Sequence, residues 1–142
     1  MIFVTNSHPS LRFPKKETFR ALECVLKLEA VRRFELSVVF VGNRYIRRVN
    51  KKFLQHDYTT DVISFPLGED GSSPLEGELY INLDRARSQA KTYGVTFAEE
   101  TRRLLIHGAL HLLGYKDSTP RTKAVMTRRE DEILARLSVT RR

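Results

Sequence analysis

Apolar residues recur along this chain with two different periods, and the switches between them divide it into strands and helices. Met1-Ile2-Phe3-Val4-Thr5-Asn6 reads as a strand. From Lys15 to about Arg32, Phe19, Leu22, Val25, Leu26 and Leu28 fall at helical spacing, behind a Pro14 that suits a first turn. Glu35 to Val41 is apolar and β-branched, which predicts a strand buried on one face or on both. Asn43 to about Phe53 predicts a helix with Tyr45, Ile46, Val49 and Phe53 inward and its basic residues outward. Asp61 to Pro66 is a short strand stopped by proline, Gly68 to Gly77 a loop, and Glu78 to Asn82 another strand.

Asp84 to about Tyr93 reads as a further helix. Thr96-Phe97-Ala98-Glu99 is a capping box, in which the Thr hydroxyl and the Glu side chain satisfy free backbone donors. The helix it opens carries Leu104, Leu105, Ala109, Leu110, Leu112 and Leu113, apolar nearly all round, and so belongs at the centre of the fold. A last helix runs from about Arg121 to Leu137. The order of elements predicts an α/β (α+β) class: one small mixed sheet of about four strands with about five helices. No linker or internal repeat interrupts it, and residues 1–142 suit a single domain.

The central helix also carries chemistry. His107 and His111 stand four residues apart, one turn apart on the same face, so both imidazoles can meet one ion. Gly114 follows, suited to a left-handed helix stop, and Asp117 then offers a carboxylate as the chain returns. Three protein ligands and an open position describe a catalytic zinc site, whereas structural sites are closed by four ligands, often thiolates. Cys24 is the one cysteine, which excludes a thiolate-rich site. Packing alone can place two histidines on an apolar helix; it does not explain the glycine and the acid at this spacing. Metzincin peptidases share the ligand spacing but follow the first histidine with a glutamate base. Here that position is Gly108, which disfavours a peptidase.

Composition narrows the setting. Apolar residues make up 41% of the chain and charged residues 30%, with no apolar run near the ~20 residues of a membrane span. The N-terminal stretch lacks the pattern of a signal peptide, and a single cysteine gives no disulfide framework, so a reducing, cytoplasmic location is expected. A net charge of +8 attracts polyanions, nucleic-acid phosphates above all. Arg44, Arg47, Arg48, Lys51 and Lys52 crowd one helical segment, the expected nucleic-acid-binding face. Arg121, Lys123, Arg128 and Arg129 crowd another, and Arg141 and Arg142 are expected to form a mobile tail.

Three segments together resemble the YbeY family of bacterial endoribonucleases, the ribosomal RNA maturation factors. The strongest is His107-Gly108-Ala109-Leu110-His111-Leu112-Leu113-Gly114-Tyr115. Thr60-Asp61-Val62-Ile63-Ser64-Phe65-Pro66 is similar to the family's T-[DN]-V-L-S-F-P strand, and Gly77-Glu78-Leu79-Tyr80-Ile81 to its G-[DE]-I-x-I strand. The resemblance implies a single-strand-specific, metal-dependent endoribonuclease. It would act in maturation of the 3′ end of small-subunit ribosomal RNA and in ribosome assembly and quality control. RNA precursors and small-subunit proteins or assembly factors would be its partners, and one Zn²⁺ per chain its cofactor.

Two departures stand out. The family ending G-Y-D-H supplies a third histidine, whereas Asp117 stands at the third-ligand position here, a competent oxygen ligand that makes the site harder and more anionic. Leu54 stands where the family often has an arginine thought to serve cleavage. The ion would lower the pKa of a water in the open position towards ~7, or assist attack by the RNA 2′-hydroxyl as a Lewis acid. Asp61 and His56 are the candidate general bases. A non-catalytic RNA-binding assembly factor with a structural metal site is the alternative, and a metallopeptidase comes third.

Overall fold

Side-chain alternation along the strands decides which helices cover which face of the sheet. The computed structural model describes residues 1–69, 71 and 73–140. Asp70, Ser72 of the expected 68–77 loop, and the terminal Arg141 and Arg142 lie outside the described residues. Four strands, β1 (Ile2–Asn6), β2 (Phe34–Val41), β3 (Val62–Pro66) and β4 (Leu75–Asn82), form one mixed sheet in the order β1-β2-β4-β3. β1 and β4 flank β2 in parallel, and β3 closes the edge antiparallel to β4. Leu36, Val38 and Phe40 of β2, with Leu79 and Ile81 of β4, point to one face and are fully buried. Val39, Val41, Ile63, Phe65 and Tyr80 point to the other.

The helices sort accordingly. Helix α1 (Lys15–Leu28), α3 (Leu83–Tyr93), α4 (Phe97–Leu112) and α5 (Pro120–Thr140) share the first face, with α4 in their midst. Helix α2 (Asn43–Leu54) lies alone on the second, burying Ile46 and Val49 with Tyr45 half-buried. Phe53, expected inward, is exposed and meets the sheet edge-on at Phe65. Leu104, Leu105, Ile106, Ala109 and Leu110 are all buried, so α4 is the central apolar helix that its composition predicts. None of the described helices is long and apolar enough to cross a membrane.

Two of the boundaries that differ from those the sequence predicts have a clear physical reason. Helix α1 stops at Leu28 rather than near Arg32, because Ala30 takes a left-handed conformation at φ 57°. The amides of Ala30 and Val31 then cap the carbonyls of Lys27 and Leu26, a turn that usually carries glycine. Strand β4 begins at Leu75, inside the expected loop, because Leu75, Glu76 and Gly77 pair in register with Phe34, Glu35 and Leu36.

Helix α4 rides close on the sheet, and Gly108 sets the distance. A Cβ there would stand 3.0 Å from methyl groups of both Leu79 and Val62. The Ser64 hydroxyl donates a 2.9 Å hydrogen bond to the Gly108 carbonyl, tying β3 to the helix. A glutamate at this position would drive its carboxylate into an apolar contact, without the water or partner that a charge requires. Gly108→Glu is expected to cost about 3 kcal/mol or more of stability, read as a lower urea midpoint at unchanged slope.

Candidate metal centre

Helix α4 ends by the turn that Gly114 permits. At φ 98°, Gly114 sends the chain back, its amide donating to the His111 carbonyl and the Tyr115 amide to that of Leu110. The reversal places the Tyr115 carbonyl 3.0 Å from His111 Nδ1. A carbonyl only accepts, so His111 carries its proton on Nδ1. One turn earlier, His107 Nδ1 lies 2.6 Å from a carboxylate oxygen of Glu130 on α5. That contact likewise puts the proton on Nδ1, since an ionised carboxylate has none to give. Both Nε2 atoms are therefore left with lone pairs.

Those lone pairs converge. The two Nε2 atoms are 3.1 Å apart, and Asp117 Oδ2 lies 3.3 Å from that of His111 and 3.5 Å from that of His107. With both rings neutral, three acceptors face one point, an arrangement that a cation satisfies. Ligand atoms about 2.0–2.1 Å from a tetrahedral zinc stand roughly 3.3 Å apart, close to the edges of this triangle. His107, His111 and Asp117 are thus placed to hold a metal ion. The electrostatics favour a cation. Burial opposes charge on His107, but the bonded Glu130 carboxylate, with Asp61 and Asp117, outweighs it and raises the imidazole pKa above its ordinary value.

Glu130 was not legible as a partner of this site. It is only 5% exposed, and it accepts from Arg103 at 3.0 Å as well as meeting His107. Arg103 continues to Asp131 at 2.7 Å, so α4 and α5 are joined by a short chain of alternating charges. Tyr115 is anchored too: its hydroxyl donates to Glu29, which also takes the Arg129 guanidinium at 2.8 Å. Arg129 bonds the Leu28 carbonyl and Glu132 as well, so it serves the interior rather than the expected basic surface. Acids among the basic residues of the last helix were the available signal, but pairing over such separations leaves no local pattern.

Beside the triangle a cleft of about 220 Å³ is lined by Asp61, Glu100, Arg103, His107, Asp117 and Lys123, among others. It shares Glu100, Arg103 and Glu130 with a larger cavity of about 740 Å³ between the ends of α3, α4 and α5. Asp61 is half-buried, its Oδ1 accepting from the Val62 amide at 2.8 Å. Glu100 is buried in the wall, which pushes its carboxyl pKa up, and it accepts from Gln89. His56, the other candidate base, does not line the cleft; it is exposed, with its ring stacked on Tyr58. Arg44, Arg47, Arg48, Lys51 and Lys52 are all exposed on α2, across the sheet from α4, and Arg47 is paired with Asp57 at 2.8 Å.

A family model described as Endoribonuclease YbeY matches residues 4–138. Endoribonuclease YbeY of Chlorobaculum parvum is 44% identical over 117 residues, covering 82% of each chain. That of Chlorobaculum tepidum is 47% identical over 102 residues, covering 72% of this chain and 73% of its own. A solution structure from Thermotoga maritima, 23% identical, superposes with a TM-score of 0.66 over 96% of this chain and 89% of its own, a likeness of fold. With its two histidines and Asp117 converging at the end of α4, and with relatives of this identity along most of its length, the chain belongs to the YbeY endoribonuclease family.

Proposed function

We propose that this protein cleaves single-stranded RNA with one Zn²⁺ held by His107, His111 and Asp117. We further propose that it acts in the cytoplasm on precursors of small-subunit ribosomal RNA, alongside small-subunit proteins or assembly factors. The observation that carries the metal reading is the convergence of two imidazole lone pairs and a carboxylate oxygen, each histidine fixed by a bond to its other nitrogen. When bound, the ion supplies Lewis acidity and positive charge for the phosphoryl oxygens. A peptidase reading gains nothing, since the base position after the first histidine is the glycine packed against the sheet.

The chain's own groups have separate tasks. Glu130 and the Tyr115 carbonyl hold the rings in one tautomer and one direction. Asp61 lines the same cleft as His107 and Asp117 and is the group to take a proton from the attacking hydroxyl, whether of water or of the RNA 2′ position. Lys123, on the cleft wall, offers a cation to an entering phosphate. Attack by the 2′-hydroxyl leaves a 2′,3′-cyclic phosphate, whereas water leaves none, so analysis of product ends separates the two.

Removing the fixing bond should loosen the ion. Glu130→Gln is expected to weaken zinc affinity about 10- to 100-fold in competition with a chromogenic chelator, with unchanged circular dichroism. Asp117→Ala should weaken it as well, while Asp117→His, which trades an oxygen for an imidazole, should hold zinc at least as tightly. Equal affinity in all three variants would dismiss the site.

Asp61→Asn should reduce cleavage of single-stranded RNA by about 10²- to 10⁴-fold while leaving zinc content and RNA affinity intact. A His107→Ala, His111→Ala protein purified in parallel controls for contaminating ribonuclease. Cleavage at the wild-type rate by Asp61→Asn would remove Asp61 from the mechanism, and absence of cleavage by the zinc-loaded wild type would remove the nuclease reading.

A further inference from the structure

Exposed rings gather where α2 hands over to β3. Phe53 is 59% exposed and Tyr58 54% exposed. The His56 ring stacks on Tyr58 at 5.2 Å and 15°, and its Nδ1 lies 3.0 Å from the Tyr58 hydroxyl. Phe53 meets Phe65 edge-on at 5.9 Å, and Phe65 meets Tyr80 the same way at 5.8 Å, so Phe53 is the outer end of a ladder rooted in the sheet. The connecting segment is held in place as well. The buried Asn50 side chain donates to the Tyr58 carbonyl at 3.0 Å, and the His56 amide donates to the Asn50 carbonyl. Rings fixed in position and left facing water mark a binding surface.

The surrounding charge names the partner. Between Asn43 and Thr60 the sole carboxylate is Asp57, against Arg44, Arg47, Arg48, Lys51 and Lys52. The Lys52 ammonium stands 5.3 Å over the Phe53 ring, so cation and ring are presented together. A cationic rim suits a polyanion that also offers flat apolar faces. Single-stranded nucleic acid is that ligand: phosphates for the cations, unpaired bases for the rings. We infer that Phe53, His56 and Tyr58 form a base-stacking platform for single-stranded RNA, with the cations of α2 holding its phosphates. This rests on the nuclease reading for what happens next. Tyr58 precedes Asp61 by only three residues, at most about 11 Å of chain, so a strand leaving the platform can cross the end of edge strand β3 into the metal cleft.

Binding of a labelled oligoadenylate in the presence of a chelator, which withholds the ion from cleavage by either nucleophile, measured across a salt series, tests the platform. Phe53→Ala and Tyr58→Ala should each weaken binding about 5- to 100-fold without changing the salt slope, because removing a stack releases no counterion. Arg44→Glu with Arg48→Glu should instead reduce the slope by about 0.7 for each phosphate left without its cation. Duplex RNA, whose bases are not free to stack, should bind the ring variants as it binds wild type. The chain has no tryptophan, so Tyr58→Trp provides a single reporter, expected to keep affinity and to be quenched by the oligonucleotide. Unchanged affinity in both ring variants, or an unquenched Tyr58→Trp, overturns the platform. Wild type that cleaves RNA while the ring variants bind normally overturns the platform alone; wild type that binds no RNA overturns both readings.

Discussion

Two hydrogen bonds from imidazole Nδ1 atoms govern the candidate metal centre. An imidazole has two nitrogens and one proton to place when neutral, so tying the proton at one nitrogen aims the lone pair of the other. Here the ties differ in kind. Glu130 brings full negative charge into a buried position, made tolerable by Arg103 and by the ring it serves. The Tyr115 carbonyl brings only a dipole, and its position is a by-product of how α4 ends. Remove either and a ring can turn, and the triangle with Asp117 opens.

The rest of the fold keeps these ties short. Helix α4 is buried on nearly every side, and the missing side chain at Gly108 lets it settle on β3 and β4. His111 lies in its last turn, where unpaired carbonyls make the helix end favourable for positive charge. Glu29, at the end of α1, gathers Tyr115 and Arg129, so the ends of α1 and α4 and the body of α5 meet at one carboxylate. The candidate site is thereby braced by three helices, and Tyr115 passes that bracing on to His111 through its carbonyl.

What could be read from the sequence follows the range of the interactions. The two histidines, Gly114 and Asp117 lie within one helix end and its return, where spacing fixes geometry, so their convergence was legible. The sheet and its helices followed from periodicity, and the buried α4 from its apolar circumference. The end of α1 was missed because a left-handed Ala30 does the work normally left to glycine. The start of β4 was missed because only its pairing with Phe34 to Leu36 makes Leu75 to Gly77 a strand. Glu130 and Glu29 were invisible for the same reason: each acts on a residue brought near only by the finished fold. The basic stretch of α2 was legible as charge, yet not the sheet that separates it from the metal centre.

The spacing of the ligands along the chain has a consequence for assembly. His107, His111 and Asp117 lie within a short segment, so even an unfolded chain can wrap an ion with little loss of loop entropy. Glu130 belongs to a different helix and arrives only when α5 docks. Affinity for a metal would therefore be built in two layers, a local chelate that needs no tertiary fold and a tightening that requires one. Only the second layer distinguishes native from unfolded protein, so only it stabilises the fold when metal is abundant. The ion in this protein would act as a gauge of whether the last helix is in place.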